Sequence, residues 1–80
     1  MPVVFRYNGI RFFFYSNEGD PREPVHIHAL LGSSVAKIWL YPDVHVASSS
    51  GFPAKEQALL MEAVEQNREL IERRWNEHFS

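Results

Sequence analysis

Cysteine is missing from the 80-residue chain, which excludes a disulfide framework and a thiolate zinc site, two common staples of small domains. Long apolar runs are missing too. No stretch approaches the roughly 20 residues of a membrane span, and the amino-terminal "MPVVFRYNG", interrupted by Arg6, lacks the apolar core of an export signal. These absences predict a cytoplasmic protein with no membrane partner. Neither sign of charge dominates: the formal net charge is -2, so a polyanion would have to be met by a local basic patch. No nucleophile elbow, phosphate-binding glycine loop or dinucleotide fingerprint occurs, which sets those reaction classes aside and predicts no cofactor.

Aromatic residues are what the chain has in quantity. A chain this short buries little of its surface and forms a single domain, residues 1–80, with a thin core. Six Phe, three Tyr and two Trp carry the packing, since each ring buries a large area. Pairing two copies into a homodimer is a further way to gain buried surface.

Val3 to Tyr7 and Ile10 to Tyr15 are rich in β-branched and aromatic residues. Asn8-Gly9 between them is a strong hairpin signal, because both turn residues take positive φ. Alternation then puts Tyr7 opposite Ile10, Phe5 opposite Phe12 and Val3 opposite Phe14 on a core face, and Arg6 opposite Arg11 on the other face with Tyr15. Two like charges in that position call for something anionic nearby. Ser16 to Pro24 reads as a loop. Val25 to Leu30 and Val35 to Leu40 form a second hairpin, and Val44 to Ala47 a short fifth strand after a Tyr41-Pro42-Asp43 turn, ended by "SSSG". One helix from about Ala54 to Glu77 follows, with Pro53 at its start and Ser49 or Ser50 as its cap. Leu60, Val64, Ile71 and Trp75 share one stripe of it, with Asn67, Arg74 and His78 on or beside that stripe. The class is α+β, an antiparallel sheet of four or five strands with one long C-terminal helix on one face. Its predicted core is Phe5, Phe12, Phe14, Ile27, Leu60, Val64, Ile71 and Trp75.

The chemistry-bearing residues gather around "EPVHIHAL", residues 23–30. If Val25, Ile27 and Ala29 are buried, His26 and His28 project from the opposite face, roughly 7 Å apart at their Cα atoms. With Leu31 and Gly32 as the hairpin loop, His26 faces Lys37 and Trp39 extends that surface; another register puts Ala36 and Ile38 there instead. Glu18 and Asp20 can supply a carboxylate, and His78 can approach from the helix end. His-x-His with a carboxylate suits Zn, Ni or Fe in principle, but no third ligand can be placed, so no metal is predicted. Without a metal, the histidine pair with Lys37, Arg6 and Arg11 nearby, proton shuttles plus cations, is the minimum for a ribonuclease-like reaction. The candidate catalytic groups are His26, His28, Lys37 and Glu18, and the candidate binding groups include Arg6, Arg11, Tyr15 and His78. The bland alternative is ordinary surface, with the arginines paired to Glu18, Asp20 or Glu23. Because the histidine face is shallow, it favours a macromolecule over a metabolite.

The run "MPVVFRYNGIRFFFYSNEGDPREPVHIHA", followed by "AKIWL", Gly51-Phe52 and the closing "WNEHF", resembles a bacterial family known as domain of unknown function 4160. The resemblance covers nearly the whole chain and rests on the "FFYSNEG" and P-x-H-x-H combination. It implies the toxin-like half of a type II toxin-antitoxin pair whose partner is a small protein of domain of unknown function 2442. Combined with the residue reading, such a protein would act on RNA or a translation component through the His26, His28 and Lys37 face. On the motif it carries over Tyr15, Ser16, Asn17, Glu18, Gly19, Pro24, His26, His28, Lys37, Trp75, His78 and Phe79, which adds Asn17 to the candidate binding residues. It brings no reaction with it, so a non-catalytic interaction or regulatory module stands beside the toxin reading.

Overall fold

Asn8 and Gly9 do take positive φ, 51° and 80°, the conformation a two-residue hairpin turn requires. The computed structural model describes residues 3–15 and 23–79. In it the turn joins β1 (Val3–Tyr7) to β2 (Ile10–Phe13). Tyr7 lies opposite Ile10, Arg6 opposite Arg11 and Phe5 opposite Phe12, as alternation predicts. Between Phe5 and Val3 the register shifts, so Val3 pairs with Phe13 and not with Phe14, and β2 stops before Phe14 and Tyr15.

The second hairpin runs from β3 (His26–Leu31) to β4 (Ser34–Trp39). Its loop is Gly32-Ser33, one residue later than Leu31-Gly32, because Gly32 takes the positive φ of 60° there. Moving the loop by one residue shifts each partner by two: His28, not His26, faces Lys37, and His26 faces Trp39. A two-residue shift leaves the faces unchanged.

β5 (His45–Ser50) is longer than the expected Val44 to Ala47. The serines that were expected to end it pair with β4 as far as Val35 opposite Ser50, since a neighbouring strand outweighs weak intrinsic β preference. Gly51 then turns the chain off the sheet at φ 91°. A side chain there would collide with Ser34, whose Oγ lies 2.5 Å from the position of an added Cβ. The five strands form one antiparallel meander in the order β1-β2-β3-β4-β5.

The expected single helix is two, α1 (Ala54–Gln66) and α2 (Arg68–Phe79). Asn67 separates them: its side-chain amide donates to the Ala63 carbonyl at 2.8 Å, and its backbone N–H is shared between the Ala63 and Val64 carbonyls at 3.2 Å each. An asparagine that bonds the preceding turn in this way competes with the helical ladder. Ser49 and Ser50 belong to β5, so the N-cap is Pro53, without a side-chain cap bond. Gln57 ties the first turn to the preceding segment instead, its Nε2 donating to the Phe52 carbonyl at 2.8 Å. Among the described residues no helix is long and apolar enough to cross a membrane.

Both helices lie over one sheet face, α1 packing on β5 and α2 on β1. Phe12, Phe14, Ile27, Leu60, Val64, Ile71 and Trp75 are buried as predicted, joined by Ile38 and Leu40. Phe5 is half-buried but stacks on Phe12 with centroids 4.4 Å apart and planes 8° from parallel. Truncating Phe12 or Ile71, both fully buried, to alanine is expected to cost roughly 2–5 kcal/mol, measured by urea unfolding. Phe5→Ala should cost distinctly less.

Candidate functional site

The face opposite the helices is built in rows by strand register. Arg6, Arg11, Leu30, Val35 and Ser50 form one row; Phe13, His28, Lys37 and Ser48 form the next; His26, Trp39 and His45 form a third. Arg6, Arg11, Val35, Ser48 and Ser50 are exposed, whereas His28, Lys37 and Trp39 are half-buried.

His26 departs from expectation. It sits in the uncovered row, yet it is fully buried. Alternation predicts which side of the sheet a residue takes but not what else reaches that side. The Trp75 indole of α2 contacts both Phe14, one residue beyond β2, and His26, at the start of β3, so it occupies the end of the sheet where β2 has stopped. The rings of Trp39 and His28 close on His26 with centroids at 5.0 and 5.3 Å. Its Nδ1–H donates to the Pro24 carbonyl at 2.9 Å, which satisfies a polar atom that burial would otherwise penalise. Unlike the surface position that alternation predicts, His26 is therefore a buried, hydrogen-bonded ring.

Of the two, His28 is the histidine that reaches the surface. Its ring packs against Tyr15 and Phe13, with centroids 4.6 and 5.7 Å away, and Tyr15 meets Phe13 edge-on at 5.1 Å. This cluster explains how Phe13, on a face no helix covers, is only 4% exposed. Across the strand, Lys37 holds its Nζ 4.3 Å above the Trp39 ring and 3.6 Å from a Glu23 carboxylate oxygen. Tyr15, His28, Lys37 and Ser48 border a shallow cleft of about 340 Å³ running to Ser50.

The fold thus brings together Tyr15, His28 and Lys37 and places Arg6 and Arg11 one row away. His78 is elsewhere: it is exposed, its ring lies against Phe14 and Phe79, and it lines a separate cleft of about 230 Å³ with Val3, Val4 and Arg74. Asn17 and Glu18, with Ser16 and Asp20, lie outside the described residues. Among the described residues, no three His, Asp or Glu side chains are grouped to hold a metal ion. Sequence reasoning missed Glu23 as the partner of Lys37 and Ser48 as the continuation of the His28 row. Ser48 reaches that row through a register shift on β5 between the partners of Lys37 and Ile38, an irregularity that strict alternation does not predict.

The geometry defines a small α+β domain with one helix-covered sheet face and one uncovered face bearing cations, an imidazole and aromatic rings. The chain belongs to the family Domain of unknown function (DUF4160), whose model matches residues 9–76. No significant match appears among curated proteins or among solved structures.

Removal of the buried His26 ring in His26→Ala is expected to destabilise the fold by about 1–3 kcal/mol, the penalty for losing a buried polar partner. The half-buried His28→Ala should cost under about 1 kcal/mol. Paired urea titrations of the two variants check this, and equal costs would contradict the assignment of His26 as structural.

Proposed function

We propose that the chain is the toxin-like half of a bacterial type II two-protein system. A small antitoxin-like protein holds it, and it acts on RNA or a translation component through its uncovered sheet face. The observation that carries the reading is the convergence of Tyr15, His28 and Lys37 at a shallow cleft on that face. Shallow surfaces suit macromolecular targets, because small ligands usually need a concavity that buries most of their area. In a metal-independent ribonuclease-like reaction, His28 is placed to move a proton, since an imidazole titrates near neutrality. Lys37 would face the phosphate charge.

The burial of His26 favours a second reading. With that imidazole enclosed and bonded to Pro24, His28 is the more accessible one of the pair, and a single half-buried imidazole suits recognition as readily as acid–base chemistry. In that reading the same face is a non-catalytic docking surface.

Inducible expression in a bacterial host tests the proposal. The wild-type chain should arrest growth, co-expression of its small partner should relieve the arrest, and His28→Ala with Lys37→Ala should abolish it while the protein remains folded. A wild-type chain that accumulates without slowing growth removes the toxin reading. Arrest that survives in the double variant removes this face as the working surface.

A further inference from the structure

Arg6 and Arg11 stand directly opposite each other across β1 and β2. Both are exposed, and among the described residues neither has a carboxylate partner. Like charges directly across a strand pair disfavour the sheet, and no packing contact requires guanidinium groups there. The charge distribution isolates them further. α1 and α2 carry six glutamates against the four cations Lys55, Arg68, Arg73 and Arg74, whereas Arg6, Arg11 and Lys37, the cations of the described strands, all lie on the uncovered sheet face.

The register gives these cations a geometry. Leu30 and Val35 continue the arginine row as an apolar floor, and Val35 is 43% exposed. Lys37 sits two strands from Arg11 and one two-residue step along, a separation of about 12 Å from ordinary strand dimensions. Ser48 lies directly opposite Lys37 and adds a hydroxyl. Tyr15, 41% exposed, stands beside His28 at the rim of the same cleft. Separated cations over a nearly flat sheet, with an aromatic ring beside them, fit an extended strand whose bases are free to stack. They do not fit a duplex, whose grooves are entered by a protruding element or read by shape.

We propose that the uncovered face binds single-stranded nucleic acid, with Arg6 and Arg11 clamping one phosphate, Lys37 and Ser48 holding a second, and Tyr15 stacking a base. This rests on the reading of that face as the working surface. Glu23 at 3.6 Å from Lys37 occupies the place of the second phosphate and competes with it.

The test is fluorescence anisotropy of the full chain with labelled single strands of about eight nucleotides, in RNA and DNA arms, against the same sequence as a duplex. Either single strand should bind more tightly than the duplex, and the two arms tell which sugar is preferred. Arg6→Gln with Arg11→Gln should weaken binding about tenfold or more. It should also lower the slope of log affinity against log salt by about 0.7, the release expected from the one phosphate the two arginines clamp. Because the substitution relieves repulsion, its thermal melt should stay at or above wild type, which separates lost binding from lost folding. Tyr15→Leu should weaken binding by about fivefold or more, the smaller end of one stacked base, and Glu23→Gln should tighten it. Duplex preference, or an unchanged salt slope in the double arginine variant, would overturn the proposal. So would displacement of the strand by polyglutamate at equal charge concentration, which would make the occupant an acidic protein segment. Growth arrest without strand binding drops this inference and keeps the toxin-like role; strand binding without arrest does the reverse.

Discussion

One-sided burial is the constraint on which the rest of the structure depends. The chain has one layer of helix, and α1 and α2 place Leu60, Val64, Ile71 and Trp75 against the inner sheet residues Phe12, Ile27 and Ile38. Nothing equivalent is left among the described elements for the other face. Large apolar groups there must shield one another, and Phe13 manages it beneath Tyr15 and His28. What remains wet there is a mixture of cations, hydroxyls and a few apolar groups such as Val35, so the face that cannot be buried is the one left for recognition.

A second constraint is length. As one straight helix, residues 54–79 would run about 39 Å, longer than the 34 Å long axis of the molecule. The break at Asn67 lets the second half change direction and stay on the sheet. Arg68, immediately after it, fixes the new direction by donating to the Leu40 carbonyl at 3.3 Å and pairing with Glu72 at 3.6 Å. Its guanidinium also lies over the Tyr41 ring, whose hydroxyl donates to Glu72. The nearby Tyr41 chiefly, and the charges of Glu65 and Glu72 after it, raise the Arg68 pKa above its ordinary value against an opposing effect of desolvation.

The hairpins, the α+β class and the helix stripe were legible because each depends on local periodicity or on a turn with strict φ demands, as at Asn8-Gly9. The break at Asn67 was not. The sequence shows an asparagine beside the apolar stripe but not that its amide would turn back onto Ala63, and the need for a bend comes from the size of the sheet. Register in the second hairpin hinged on which residue pair formed the loop, a difference smaller than composition resolves. At the candidate site, Arg6 opposite Arg11 followed directly from the turn, whereas His26 was misjudged. Alternation ranks the two sides of a strand but is silent about an indole arriving from a helix 49 positions further along the sequence, at Trp75.

The same helix pair ties the two outermost strands together, α1 resting on β5 and α2 on β1. Each hairpin closes over a loop of a few residues, but the contact between α2 and β1 joins segments from opposite ends of the chain. Loop closure entropy rises with the length of chain enclosed, and contacts of large sequence separation slow folding. The meander can therefore assemble strand by strand, while its first strand gains its full covering only when the last helix arrives. Until then the inner faces of Phe5 and Phe12 stay open to water and to other chains, so the docking of α2 is the step that turns a sticky sheet into a protected domain.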